Sequence, residues 1–356
     1  MPVLLVTGGA GFIGSNLVRR ARRDPGTSVV VPDLLTYAGR RENLADLEAD
    51  ARLRFVQGDI CDGPLVASLL REHRPDALLH LAAESHVDRS IDDASAFLRT
   101  NVGGTHALLE AARGHRREGL ARDGFRFVQV STDEVYGSLG DAGHFREDTP
   151  FAPNSPYAAS KASADHFARA WHRTHGLPVV ITHCSNNYGP YQFPEKLLPL
   201  MILNALEHRP LPVYGDGLQV RDWLYVDDHC DAILAAAARG VPGGTYNFGG
   251  DAERTNLSLV ETLCALLEEL APAAGHAPPA GGYRSLVTFV TDRPGHDRRY
   301  AIDASHARAA LGWTPAHGLD DGLRTTVRWY LDHRAWCAEV ASRTYDRGRL
   351  GLGGAR

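Results

Sequence analysis

Val3-Leu4-Leu5-Val6-Thr7-Gly8-Gly9-Ala10-Gly11-Phe12-Ile13-Gly14-Ser15-Asn16 decides the fold. Its apolar start reads as a buried strand, and the run after Gly14 carries a helical pattern through Arg22. Between them Gly8, Gly11 and Gly14 stand at the spacing Gly-x-x-Gly-x-x-Gly. Glycines so spaced permit a tight turn, close approach of the backbone to a pyrophosphate, and close packing of helix on strand. A second strand, Ser28-Val29-Val30-Val31, ends at Asp33. That is near the roughly 20-residue spacing at which an acidic side chain holds the adenosine ribose hydroxyls. Strand, glycine turn, helix, strand and acid together predict a dinucleotide site. Asp33 would repel a 2′-phosphate and so points to NAD, while the nearby Arg40 and Arg41 are the feature that would suit NADP.

Outward from this unit the alternation continues. Arg54 to Ile60 is a third strand, with Asp59 where an adenine amino group can be met, and Ala77 to Leu81 is a fourth, opening into Ala82-Ala83-Glu84-Ser85. A helix after Asn101 to Thr105 precedes a fifth strand, Phe125 to Val130, and Pro178 to Thr182 gives a sixth. Strands alternating with helices predict an α/β chain with a Rossmann-type doubly wound parallel sheet. After Pro190 the texture shifts to shorter elements richer in Pro, Gly and aromatic residues, which predicts a smaller mixed α/β substrate-binding domain. The division expected is a NAD-binding domain over 1–184 plus about 218–243, and a nucleotide-sugar-binding domain over about 185–217 plus 244–315. A helical segment over 316–346 and a disordered tail over 347–356 complete it.

Composition narrows the class. The 356 residues are 44% hydrophobic and 23% charged, as in a globular chain, and a net charge of -5 gives no basic footprint for nucleic acid. Five scattered cysteines without a Cys-x-x-Cys spacing argue for reduced thiols and a cytoplasmic location, and neither they nor the 17 histidines form a metal-ligand pattern. No apolar run approaches the roughly 18 residues that span a bilayer, and no signal peptide is recognisable.

The most specific chemistry lies from Ser131 to Lys161. Thr132-Asp133-Glu134 follows the fifth strand directly, so acidic side chains collect at the sheet edge where ligands of such folds bind. Ser155 and Pro156 suit a helix start, which places Tyr157 and Lys161 one turn apart on one face. A tyrosine with a pKa of about 10 is a poor base at neutral pH unless a positive charge favours its phenolate. Lys161 can supply that charge. Of the 38 Lys plus Arg residues only Lys161 and Lys196 are lysine, so a compact ammonium rather than a forked guanidinium is expected to matter at both places.

These motifs resemble the extended short-chain dehydrogenase/reductase superfamily and, within it, the dTDP-glucose 4,6-dehydratases. The resemblance runs from Thr7-Gly8-Gly9-Ala10-Gly11 to Arg293-Pro294-Gly295-His296-Asp297, through Thr132-Asp133-Glu134, Asn186-Asn187-Tyr188-Gly189-Pro190 and Pro194-Glu195-Lys196-Leu197. Departures are Leu34, where the family commonly has lysine, and His183, where it commonly has arginine. The resemblance implies a lyase with tightly bound NAD, acting on dTDP-glucose as a homodimer built from the helices after Asn101 and Ser155. By the same resemblance Tyr157, Lys161 and Thr132 serve oxidation at C4, Glu134 removes the C5 proton, and Asp133 protonates the departing C6 hydroxyl. It adds Phe12, Ile13, Thr36, Ile60, Leu81, Ala82, Ala83, Ser85, Thr100 and Asn187 to the cofactor contacts. For the substrate it implies Ser85, Thr132, Asn186, Arg221 and Asn256 toward the sugar and diphosphate. Glu195, Lys196, Leu197, Val213 and Tyr214 would line the nucleoside pocket, with Arg293, His296 and Asp297 beside them. A nucleotide-sugar epimerase or decarboxylase shares the C4 oxidation but not the Asp-Glu pair; a non-catalytic NAD-sensing protein is the reading from another class.

Overall fold

A computed structural model of the chain describes residues 2–344 and Leu350. Its main sheet has seven parallel strands: β1 (Val3–Thr7), β2 (Ser28–Asp33), β3 (Leu53–Gln57), β4 (Ala77–His80), β5 (Arg126–Thr132), β6 (Val179–Cys184) and β7 (Thr245–Phe248). They lie in the order β7-β6-β5-β4-β1-β2-β3. The chain winds outward in both directions from β1 and β4, and the crevice outside their carboxyl ends is where such a sheet accepts a ligand.

The helices that flank the sheet are α1 (Phe12–Arg22), α2 (Gly63–His73), α3 (Thr105–Arg117), α4 (Pro156–His175) and, after α5 (Leu197–Leu206), which packs elsewhere, α6 (Val226–Arg239). Alternate strand residues face opposite layers. Leu4, Val6, Val29 and Val31 pack with Leu17 and Val18 of α1 and with Cys230 and Ile233 of α6. Leu5, Val30, Leu78 and Phe127 pack with Leu70 of α2 and with Leu108 and Leu109 of α3. Burial on both faces is why these strands read as continuous apolar runs.

The sequence reading stops at six strands, whereas Thr245 to Phe248 pairs with Ile181 to Cys184 as a seventh. Four residues between the glycine pairs Gly243-Gly244 and Gly249-Gly250 are too few to show a period. β3 ends at Gln57, which leaves Asp59 in the following loop, and β5 continues to Thr132. A separate apolar cluster joins Met201 and Ile202 of α5, Trp223, Leu259, Leu263, Leu323 and Tyr330. Around it lie short strand pairs of both senses: Leu211–Tyr214 runs parallel to Val287–Val290, and Val220–Arg221 antiparallel to Arg254–Thr255. Helices Leu319–Asp332 and Arg334–Thr344 end the described chain; of the expected tail over 347–356 all but Leu350 lies outside the described residues. No helix among the described residues is long and apolar enough to cross a membrane.

Candidate active site

The glycine turn leaves no room for side chains at its floor. Gly8 has φ +69°, and a Cβ there would lie 2.6 Å from the Ala82 amide nitrogen; one on Gly14 would lie 2.1 Å from the Gly8 carbonyl oxygen. Gly11 caps α1 without a side-chain hydrogen bond, so the first N–H groups of that helix remain free for an anionic group. The Asp33 carboxylate accepts from the amides of Ala10 and Leu35, each at 2.9 Å, which fixes it at the end of β2. The cradle therefore fits a dinucleotide. Arg41 pairs with Glu48 and lies over Phe55, and Arg40 runs beside Phe193 to the Val340 carbonyl, so both cations have other engagements. The residues that the sequence assigns to the cofactor, from Gly8 through Thr36, Asp59, Ala83 and Thr100 to Asn187, line one cleft, which continues to the Thr132-Asp133-Glu134 turn.

That turn is a short 3-10 helix over Asp133–Tyr136, capped by the Thr132 hydroxyl, which accepts from the Glu134 amide at 3.3 Å. Facing it is α4, whose start is fixed by the Ser155 hydroxyl accepting from the Ala158 amide at 3.1 Å. Tyr157 donates its amide to the Ser90 hydroxyl at 3.1 Å. Lys161 donates its ammonium to the Val130 carbonyl at 2.7 Å. Before α3 the chain makes a π-helical turn over Leu98–Gly104, a local widening that often marks functional sites. There Asn101 donates to the Glu84 carbonyl at 2.9 Å and to the Ser160 hydroxyl at 2.8 Å, and accepts from the Glu84 amide at 2.8 Å. It thereby ties the loop after β4 to the helix that carries Tyr157. A helix was expected after Asn101, but nothing in the sequence singled out this side chain.

Burial and opposing charge divide the acids. Asp133 is 2% exposed, its Oδ2 has no hydrogen-bond partner, and burial followed by the charges of Glu134 and Asp222 pushes its carboxyl well above the usual range. Burial also raises Glu134, but Arg293, Lys196 and Arg221 face it and oppose the rise. Burial and the neighbouring Glu134 push the Tyr157 hydroxyl well above its ordinary value, with the Thr132 hydroxyl opposing. The chain's own groups thus hold Tyr157 as a phenol, and Lys161, spent on Val130, does not by itself make the phenolate. Burial lowers Lys161 as well.

A second cavity adjoins Glu134 and is lined by Asn186, Lys196, Leu197, Val213, Tyr214, Arg221, Asn256, Arg293 and His296. Lys196 donates to the Ser85 carbonyl at 2.7 Å, and the Glu195 carboxylate accepts from Arg89 at 2.9 Å. Both lysines of the chain therefore border these cavities. Asp297 does not line the second cavity: it accepts from Asn154 and Tyr300, while its carbonyl accepts from Arg221 at 2.9 Å. Its place is behind the arginine. The sequence reading missed His86 and Asp88, which line this cavity, and Arg89, whose guanidinium lies over the Tyr37 ring at 4.0 Å. Asp88 accepts from Arg293 at 2.6 Å and from the Tyr214 hydroxyl at 3.3 Å. The available signal was a largely polar run, His86-Val87-Asp88-Arg89-Ser90, in the segment that follows the carboxyl end of β4. Among the described residues no group of three or more His, Cys, Asp or Glu could hold a metal ion.

A family model described as GDP-mannose 4,6 dehydratase matches residues 5–326. A dTDP-glucose 4,6-dehydratase of Neisseria meningitidis is 54% identical over 99% of this chain and all of its own length. One from Xanthomonas campestris is 56% identical over 99% of each chain. Among solved structures, the dTDP-glucose 4,6-dehydratase DesIV of Streptomyces venezuelae, with NAD and TYD bound, superposes with a TM-score of 0.86 at 50% identity, covering 95% of this chain and 99% of its own.

Proposed function

This chain belongs to the dTDP-glucose 4,6-dehydratase family, and from that premise we propose that it converts dTDP-glucose to dTDP-4-keto-6-deoxy-glucose with NAD held in the glycine cleft. The carrying observation is the unequal pair Asp133 and Glu134, placed on one turn beside Tyr157. NAD, when bound, supplies the hydride acceptor and donor, and its oxidised ring brings the positive charge that the chain does not itself place on Tyr157. Tyr157 takes the proton of the C4 hydroxyl, and Thr132 holds the same oxygen. The resulting ketone makes the C5 hydrogen acidic. Glu134, whose rise the facing cations oppose, removes that proton; Asp133, raised further by burial, gives its own proton to the departing C6 hydroxyl, which leaves as water, and the hydride taken from C4 then goes to C6 as C5 is reprotonated. Two carboxyls with opposed environments are what general acid and general base duties require.

Arg221 and Arg293, with Asn186 and Asn256, are proposed to hold the diphosphate, since guanidinium forks match its oxygens. The nucleoside end lies against Leu197, Val213 and Tyr214. Two copies are proposed to pair through α3 and α4, where Phe167 stands 37% exposed beside His106 and Trp171. Substrate carrying deuterium at C4 tests the reaction: the product should hold the label at C6, with no net reduced cofactor. Label lost to solvent would refute the proposed order of steps, and inversion at C4 without loss of water would make the chain an epimerase.

A further inference from the structure

We infer that Asp165, one helical turn beyond Lys161 on α4, is a positioning residue for the reaction: its buried carboxylate is the counter-charge that holds the Lys161 ammonium beside Tyr157. This rests on the roles proposed above for Tyr157 and Lys161. Residues 157, 161 and 165 succeed one another at four-residue spacing and share a helix face, so the lysine lies between the tyrosine and the acid. Lys161 is only 5% exposed and donates to the Val130 carbonyl, a dipole rather than a charge. Taking an ammonium out of water costs several kcal/mol unless an opposite charge offsets it.

Asp165 is 1% exposed. Its Oδ2 accepts from the Ser131 hydroxyl at 2.6 Å and meets His183 Nε2 at 3.2 Å, while its Oδ1 is buried without a hydrogen-bond partner. A carboxylate with one oxygen left unsatisfied in the layer between α4 and the sheet is costly. The titratable groups whose charges couple to Lys161 are Asp165 from α4, Cys184 from β6 and His80 from β4. Burial works against the charged lysine, and Asp165 foremost, with Cys184, works for it. Asp133 and Glu134 act instead on Tyr157, against its phenolate. The carboxylates therefore sort by target. His183 is anchored on its far side by the Tyr136 hydroxyl at 2.8 Å, and its Nε2 competes with Lys161 for the same carboxylate.

The chain has two lysines, so protein isotopically labelled at lysine Cε gives two resonances, and Lys161→Arg identifies the one of interest. In NAD-loaded enzyme Asp165→Asn, which keeps the shape and loses the charge, should lower the Lys161 titration midpoint by about 1–3 pH units. The alkaline limb of the kcat profile should move down with it, and Asp165→Glu should restore much of both. His183→Asn leaves the charge and removes the competitor, so its midpoint should stay or rise. An Asp165→Asn midpoint equal to wild type overturns the inference. If Asp165→Asn does not fold, a lowered midpoint in His183→Asn overturns it, because a purely structural role would disturb both variants in the same direction. The titration needs no substrate, so inactivity on dTDP-glucose would defeat the functional proposal and leave this test standing.

Discussion

Replacing Asp133 by Asn separates catalysis from stability with one nearly isosteric change. The side chain is 2% exposed, its Oδ1 lies 3.4 Å from the Thr132 hydroxyl, and its Oδ2 has no partner, so little native bonding is lost. The amide cannot deliver an acid proton to the leaving C6 hydroxyl. General acid catalysis contributes about 10²- to 10⁴-fold, and turnover should fall by that factor. Oxidation at C4 uses Tyr157 and should survive. After mixing with dTDP-glucose, the variant should accumulate the near-ultraviolet absorbance of reduced nicotinamide that wild type shows only in passing. Stability should move the other way. Burial raises the Asp133 carboxyl, so the native state pays a penalty that begins as pH rises through the ordinary carboxylate range and is complete above the folded value. Each pH unit of that rise is on the order of 1 kcal/mol, which for a chain of this length is about 2 °C in Tm. Asp133→Asn should therefore melt higher than wild type at neutral pH and show no such gain below the ordinary carboxylate range. Unchanged turnover would place the acid elsewhere, and a Tm difference that does not vary with pH would refute the electrostatic account of its environment.

Lys161→Arg retains charge but not size. The ammonium donates to Val130 at 2.7 Å inside a packed layer, and a planar guanidinium is misplaced by about 1 Å or more, which should cost about 10²-fold in turnover per NAD-loaded site. Alkaline pH should recover little of it, since burial holds Tyr157 well above its ordinary value; steady-state profiles of the two enzymes check both points. Asp88→Asn removes the carboxylate that orients Arg293 and Tyr214 together, so KM for dTDP-glucose should rise about tenfold with kcat nearly unchanged, consistent with about 1.4 kcal/mol of binding. Equal losses in kcat and kcat/KM would instead place Asp88 in the chemical step.

What the sequence made legible follows from how local its physics is. The capped start of α4 and the Tyr157-Lys161 spacing depend on contacts within a few residues, while the glycine turn and Asp33 lie within one strand-helix-strand unit whose pattern is continuous in the sequence, and the structure places them as the spacing implies. β7 was not legible because four residues between glycines have no period, and its strand character comes from pairing with β6. Asp88 and Asn101 escaped for another reason. Their partners Arg293, Tyr214 and Ser160 lie 205, 126 and 59 residues away, and an acid or an amide next to an unremarkable helix carries no mark of what it will meet. His183 was visible only as a departure from a family pattern, and its contact with Asp165 needed the fold.

Charge balance was the least legible property and is the one on which the chemistry turns. Asp133 and Glu134 are neighbours in sequence, yet two other acids act on the first with Arg221 and the Thr132 hydroxyl opposing them, while three cations act on the second. Moving Arg293, Lys196 or Arg221 away would remove what opposes the rise of Glu134 and bring the two carboxyls closer in character. The arginine-rich composition sharpens this point. With 36 arginines available, the chain keeps lysine at two positions, each donating to a backbone carbonyl: buried Lys161 to Val130 and half-buried Lys196 to Ser85. A carbonyl accepts along one direction and suits a compact donor, whereas a guanidinium presents five donors that such a site cannot satisfy. Retention of lysine at those two places therefore reflects the size of the pocket as much as the sign of its charge.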